Sequence, residues 1–211
     1  MEKEKGLIGY YNYTVVLTYI GAVTGFLGIV FVVRNQFFIS MILMMVAGLC
    51  DMFDGAVAST KKDRTGQEKS FGVQIDSLSD LICFGVLPAV FLCGLSRGSL
   101  IYCIIAAVYV LCALIRLAFF NVDELDRISK TTSRREYILG LPVTMSSCII
   151  PLFYSAARLL GINTAFSTGS IMVVISILFV VPVKMRKSTA LGKVLFFILG
   201  IAEFVLLILS K

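Results

Sequence analysis

Four aspartates, Asp51, Asp54, Asp76 and Asp80, lie inside or at the edges of strongly apolar runs. Asp51 and Asp54 are three residues apart, and Asp76 and Asp80 are four apart, so on helices each pair shares one face. Four carboxylates meeting in a low-dielectric region repel one another. Either some protonate or cations neutralise them. The chain has no histidine, and its six cysteines form no CxxC pair. A metal site would therefore be built from oxygen alone, which selects hard divalent ions such as Mg²⁺ or Mn²⁺. Two such ions bridged by carboxylates suit phosphoryl transfer, where they clamp phosphate oxygens and stabilise the leaving group. Gly55 and Ala58 extend the face of Asp54, and Gly72 lies one turn before Asp76, leaving room for a large ligand near the backbone. The plainer readings of the same acids are polar glue between two helices, or an ion pathway.

The elements that must carry these residues are membrane helices. Of 211 residues, 58% are hydrophobic and 15% are charged, against about 25% charged in soluble domains. The predicted fold is all-α, a polytopic bundle of six to seven transmembrane helices forming a single domain over 1–211. Apolar runs of spanning length fall at roughly 15–33, 37–58, 73–95, 99–120, 138–157, 165–183 and 190–210. With the N-terminus in the cytosol, fourteen of the 19 basic residues fall in cytosolic segments and four outside, as the positive-inside rule requires. The net charge of +6 sits in these short loops, so it marks topology and not a nucleic-acid partner. Residues 1–14, with Tyr10, Tyr11 and Tyr13, read as an interfacial segment and not a signal peptide. This topology, assigned from lysine and arginine alone, brings both acidic pairs to one depth on the cytosolic side. Two further charges lie within spans: Arg116, level with the aspartates, and Glu203, on the far side, read as a packing or oligomer contact.

The run Asp51-Met-Phe-Asp54-Gly55-Ala-Val-Ala58, followed by Gly72-Val-Gln-Ile-Asp76-Ser-Leu-Ser-Asp80, resembles the signature of the CDP-alcohol phosphatidyltransferases, D-x-x-D-G-x-x-A-R, a spacer, then G-x-x-x-D-x-x-x-D. The resemblance implies a CDP-linked lipid donor, two divalent metal ions and release of CMP. It implies that Asp51 and Asp76 touch both metals and Asp54 one, while Asp80 binds the second metal and is the catalytic base. Gly55 and Ala58 would line the cytidine diphosphate site, and Ser59 and Gly72 are read as further substrate-binding residues. Two departures stand out. The family's arginine after the alanine is Ser59 here, and the spacer, with Lys61, Lys62, Arg64 and Lys69, is longer than usual. A replacement cation could come from that loop, although most of it is expected to be solvated.

The stretch Ile75-Asp-Ser-Leu-Ser-Asp-Leu-Ile-Cys-Phe-Gly-Val-Leu-Pro88-Ala89 resembles the phosphatidylserine synthase branch of that family, as do Arg116-Leu-Ala-Phe-Phe-Asn121 and Gly140-Leu-Pro142. The motif-bearing core is thus residues 45–145. This likeness implies CDP-diacylglycerol and L-serine as substrates and a prokaryotic plasma membrane with the site facing the cytosol. It also implies a homodimer. Leu81 follows the last motif aspartate, where a phosphorylated acceptor would call for a basic residue. Arg116 could pair with the serine carboxylate, with the donor phosphate or with an aspartate. Asn121 is read as a substrate contact or a helix end. A sister enzyme using glycerol 3-phosphate, inositol phosphate or another alcohol remains open, as do a divalent-cation transporter and a degenerate family member.

Overall fold

A computed structural model describes residues 8–130, 137–186 and 190–209. The helices are α1 (Val16–Val33), α2 (Phe37–Ala58), α3 (Gly66–Asp80), α4 (Leu87–Leu95), α5 (Leu100–Lys130), α6 (Ser146–Leu159), α7 (Thr164–Val180) and α8 (Ala190–Leu209). A single π-helical turn, Leu81–Val86, joins α3 to α4 as one column, and 3₁₀ turns at Tyr13–Val15 and Val143–Met145 lead into α1 and α6. Four helical runs, Tyr13–Val33, Phe37–Ala58, Gly66–Leu95 and Leu100–Arg127, are long and apolar enough to cross a bilayer. Three shorter apolar helices, Val143–Leu159, Thr164–Val180 and Phe197–Leu209, complete the bundle. Together these are the bundle of a polytopic membrane protein. Its lipid face is plain on α5, where Ile101, Ile104, Val108, Leu111 and Ile115 recur at helical spacing and all stay exposed. Tyr109, on the opposite face, is fully buried.

Three boundaries differ from the apolar pattern. The third column begins at Gly66 and not at residue 73, because Thr65 and Glu68 form a reciprocal capping box that nucleates a polar first turn. The next helix runs on to Lys130 and not to 120, so Asn121 lies inside it and is not a helix end. The fifth run does not start at 138. Gly140 has φ +75°, and Pro142 holds an extended ψ of 137°, so helix begins only beyond them. The extended stretch Tyr137–Leu139 pairs antiparallel with Lys184–Arg186. Gly140 and Leu141 then donate to the carbonyls of Val183 and Leu178, at 2.7 and 3.1 Å. Residues 1–7 of the interfacial segment lie outside the described residues. Tyr10 packs on Phe71 with ring centroids 5.1 Å apart, and Tyr11 and Tyr13 are exposed. Glu203 is 2% exposed and lies beside Cys148, so it packs inside the chain and not on an outer contact face.

The centre is drawn tight by α1. Glycines at 21, 25 and 28 turn a bare stripe toward the π turn and α2. A Cβ on Gly25 would stand 2.5 Å from the Cys83 sulfur and 3.2 Å from the Cys83 Cα. Into this gap Ser79 donates to the Thr18 carbonyl (3.2 Å) and Cys83 to the Gly21 carbonyl (3.2 Å). Gly25→Leu is therefore expected to force the π turn away from α1, costing about 1–3 kcal/mol as an overpacking change. The check is a lowered thermal unfolding midpoint in detergent. Gly200→Ala, where a Cβ meets nothing within 4 Å, is the matched control and should hold its midpoint.

Candidate active site

Helices α2 and α3 meet with their acidic faces inward. Carboxylate oxygens of Asp51, Asp76 and Asp80 all lie within 4.8 Å of one another. Asp54 is the neighbour of this group and not a member of it. It is buried, accepts a 3.0 Å hydrogen bond from the Thr18 hydroxyl, and lies against Asp76. The structure thus brings all four predicted acids to one locus, three of them in mutual reach. Oxygens around one hard divalent ion sit about 2.1 Å from it, so no two are more than about 4.2 Å apart. A small closure of the triad reaches that spacing, so these residues fit an oxygen-ligated divalent cation.

The spacing Asp-Ser-Leu-Ser-Asp gives each polar residue of α3 its own neighbour. Asp76 and Asp80 point to α2. Ser79 points to α1, as described. Ser77 donates to Asn121 Oδ1 on α5, and Asn121 Nδ2 donates to Gln74 Oε1 at 3.2 Å. Asn121, expected as a substrate contact, is used here to clamp α5 to α3. Tyr109 bridges the Phe84 carbonyl in the π turn and the Ser146 hydroxyl, at 2.7 Å each. The column bearing Asp76 and Asp80 is therefore tied on both flanks.

Two cavities border the aspartates. The first, about 290 Å³, is bordered by Asp54 and Asp76 and by Gly55, Ala58, Ser59 and Gly72, four of the residues read as substrate-binding. Arg64, Lys69 and Glu124 also line it. The second, about 280 Å³, is bordered by Asp51, Asp76 and Asp80 and by Arg116, Glu124, Pro142 and Thr144. Asp76 and Glu124 face both. Arg116 is 6% exposed, and its Nε donates to the Leu141 carbonyl at 3.1 Å. The strand pairing that fixes Gly140 and Leu141 therefore also fixes the guanidinium at the second cavity's wall. Ser59 closes α2, with its hydroxyl turned back to the Ala56 carbonyl at 2.7 Å.

Sequence reasoning missed Thr18, Glu124, Thr144 and Glu68. Thr18 and Thr144 carry no spacing signal. Glu124 repeats the i, i+4 interval from Arg116 through Phe120, which places it on the site-facing stripe of α5. Its carboxylate is held by Arg127 at 2.6 Å. Glu68 organises the loop after α2. It accepts from Lys61 (2.8 Å), Asn12 (2.9 Å) and the Thr65 amide (2.8 Å). The hydrogen bond to Glu68 raises the Lys61 pKa above its ordinary value, so this tie persists at neutral pH.

Known proteins are similar to this chain in sequence. The profile of the CDP-alcohol phosphatidyltransferase family matches residues 11–209. An archaetidylserine synthase of Methanothermobacter thermautotrophicus is 29% identical over 193 residues, covering 91% of this chain and 77% of that protein. A CDP-diacylglycerol–serine O-phosphatidyltransferase of Saccharomyces cerevisiae is 33% identical over 57% of this chain, but only 41% of the yeast protein is spanned. The Helicobacter pylori protein of the same name is 32% identical over 61% of this chain and 51% of its own length. With its aspartates paired across α2 and α3 and its match running nearly end to end, the chain belongs to the CDP-alcohol phosphatidyltransferase family.

Proposed function

We propose that the protein transfers a phosphatidyl group from CDP-diacylglycerol to L-serine, forming phosphatidylserine and CMP. The observation that carries the reading is the division of the aspartates between the cavities. Of these two cavities, Asp54 borders the first, Asp51 and Asp80 the second, and Asp76 both, while all four also line one small pocket together. The first is the donor site, bounded by the motif residues Gly55, Ala58, Ser59 and Gly72. The second is the acceptor site, where Asp80 reaches an acceptor hydroxyl and Arg116 offers a cation to a carboxylate. Serine fits this lining, since Arg116 supplies the cation its carboxylate needs. The names of the matched relatives agree on a serine head group and differ in the lipid they imply.

Asp51, Asp54, Asp76 and Asp80 would hold two Mg²⁺ or Mn²⁺ ions, which when bound supply charge stabilisation to the diphosphate and to the departing CMP. The chain's own groups do the rest. The donor's tails stay in lipid while its head group lies in the first cavity. Asp80 accepts the proton of the serine hydroxyl. The freed oxygen bonds to the phosphorus that carries diacylglycerol, and the bond from that phosphorus to the CMP oxygen breaks. Arg116 orients the acceptor carboxylate. The protein acts as a multi-pass enzyme of a prokaryotic plasma membrane with this site on the cytosolic face, and as a homodimer.

The test uses purified protein in mixed micelles with CDP-diacylglycerol, Mg²⁺ or Mn²⁺, and each labelled acceptor in turn. CMP release should require serine and should stop with a chelator and return when metal is restored. Release only with glycerol 3-phosphate or inositol phosphate would move the assignment to another acceptor.

A further inference from the structure

The structure assigns Arg64, on the loop between α2 and α3, as the side chain that grips the diphosphate of the CDP-linked donor. This deepens the donor-site reading and does not depend on the identity of the acceptor. The first cavity must receive a diphosphate, yet the α2 residue beside it is Ser59, whose hydroxyl is committed to its own helix. Arg64 reaches the same cavity from the loop. Its Nη2 donates to the Glu68 main-chain carbonyl at 3.1 Å, and its Nε is shielded from solvent with no partner among the described residues. The guanidinium is laid against bare α3 backbone, since a Cβ on Gly72 would come within 2.5 Å of Nη2. Glycine at 72 lets the guanidinium lie this close to the helix backbone.

The loop's other contacts make this placement specific. Lys61 is spent on Glu68, and Thr65 caps α3 through the same carboxylate. Arg64, between these two anchors, meets no carboxylate among the described residues, so its charge is not neutralised within the loop. It lines the cavity together with Asp54 and Asp76, which are in place to hold metal on the same diphosphate. A planar guanidinium presents parallel N–H donors that match two phosphate oxygens, which an ammonium cannot do. Lys69 lines the same cavity and adds longer-range charge.

The experiment is titration of CDP into the full-length protein in detergent with saturating Mg²⁺, read by calorimetry, with donor KM measured beside it. A hydrogen bond to a charged group is worth about 1.5–3 kcal/mol, so Arg64→Gln should weaken CDP binding about 10- to 100-fold. Arg64→Lys should fall between that variant and the wild type. The acceptor KM and the thermal midpoint should hold, as should CDP affinity in Lys62→Gln, which removes an exposed charge from the same loop. CDP affinity unchanged in Arg64→Gln overturns the assignment. So does an equal loss in Lys62→Gln, which would make the effect one of loop charge, or a fall in midpoint matching the loss of affinity. If wild type and variants rank as expected for CDP but serine gives no product, the acceptor reading fails and the role of Arg64 stands.

Discussion

Asp80→Asn should release CMP at a rate about 10²- to 10⁴-fold below wild type, the usual contribution of a positioned general base. The substitution keeps the side chain's shape at a site only 9% exposed. It also removes one of three mutually repelling carboxylates, so the folded helix bundle should persist. The checks are CMP release with serine, an unchanged elution position in detergent, and a thermal midpoint equal to or above wild type. Because Asp80 borders the second cavity and not the first, CDP affinity should change far less than turnover. Full activity in Asp80→Asn would remove the residue from the chemistry. Equal loss of CDP binding and turnover would make it a metal ligand alone.

Asp76→Asn should be more damaging still, for a different reason. Asp76 borders both cavities, belongs to the triad and lies against Asp54. Removing its charge takes away a ligand for any ion held at the junction. Ion charge is worth several kcal/mol to phosphoryl transfer, and about 4 kcal/mol corresponds to roughly 10³-fold in rate. We expect at least that loss together with weakened binding of Mn²⁺, measured by the electron paramagnetic resonance signal of the free ion. Wild-type Mn²⁺ affinity in Asp76→Asn would contradict its place at the centre of the site.

What could be read before folding follows from where the physics is local. The aspartate pairs were legible because a charge in an apolar run needs a reason, and because spacings of three and four fix a helix face. The first two helices matched their apolar runs to within a residue or two. The starts of α3 and α6 did not. One is set by a capping box in a polar stretch, the other by the φ of Gly140 and the extended backbone at Pro142. Hydropathy registers neither. Asn121 was singled out by motif alone, and only the approach of α5 to α3 revealed its bonds to Ser77 and Gln74. Arg64 was one basic residue among four in a loop. The geometry of Gly72 and Glu68 separates it from Lys61 and Lys62.

The two cavities carry a consequence for the order of events. On the proposed reading, donor and acceptor reach the shared Asp76 from two separate cavities. On that reading either substrate can arrive first, and transfer requires both to be bound. CMP would then leave through the first cavity, where it competes with fresh donor for the same lining. Because each transfer would consume the acceptor, the second cavity must empty and refill in every turnover, as the first does.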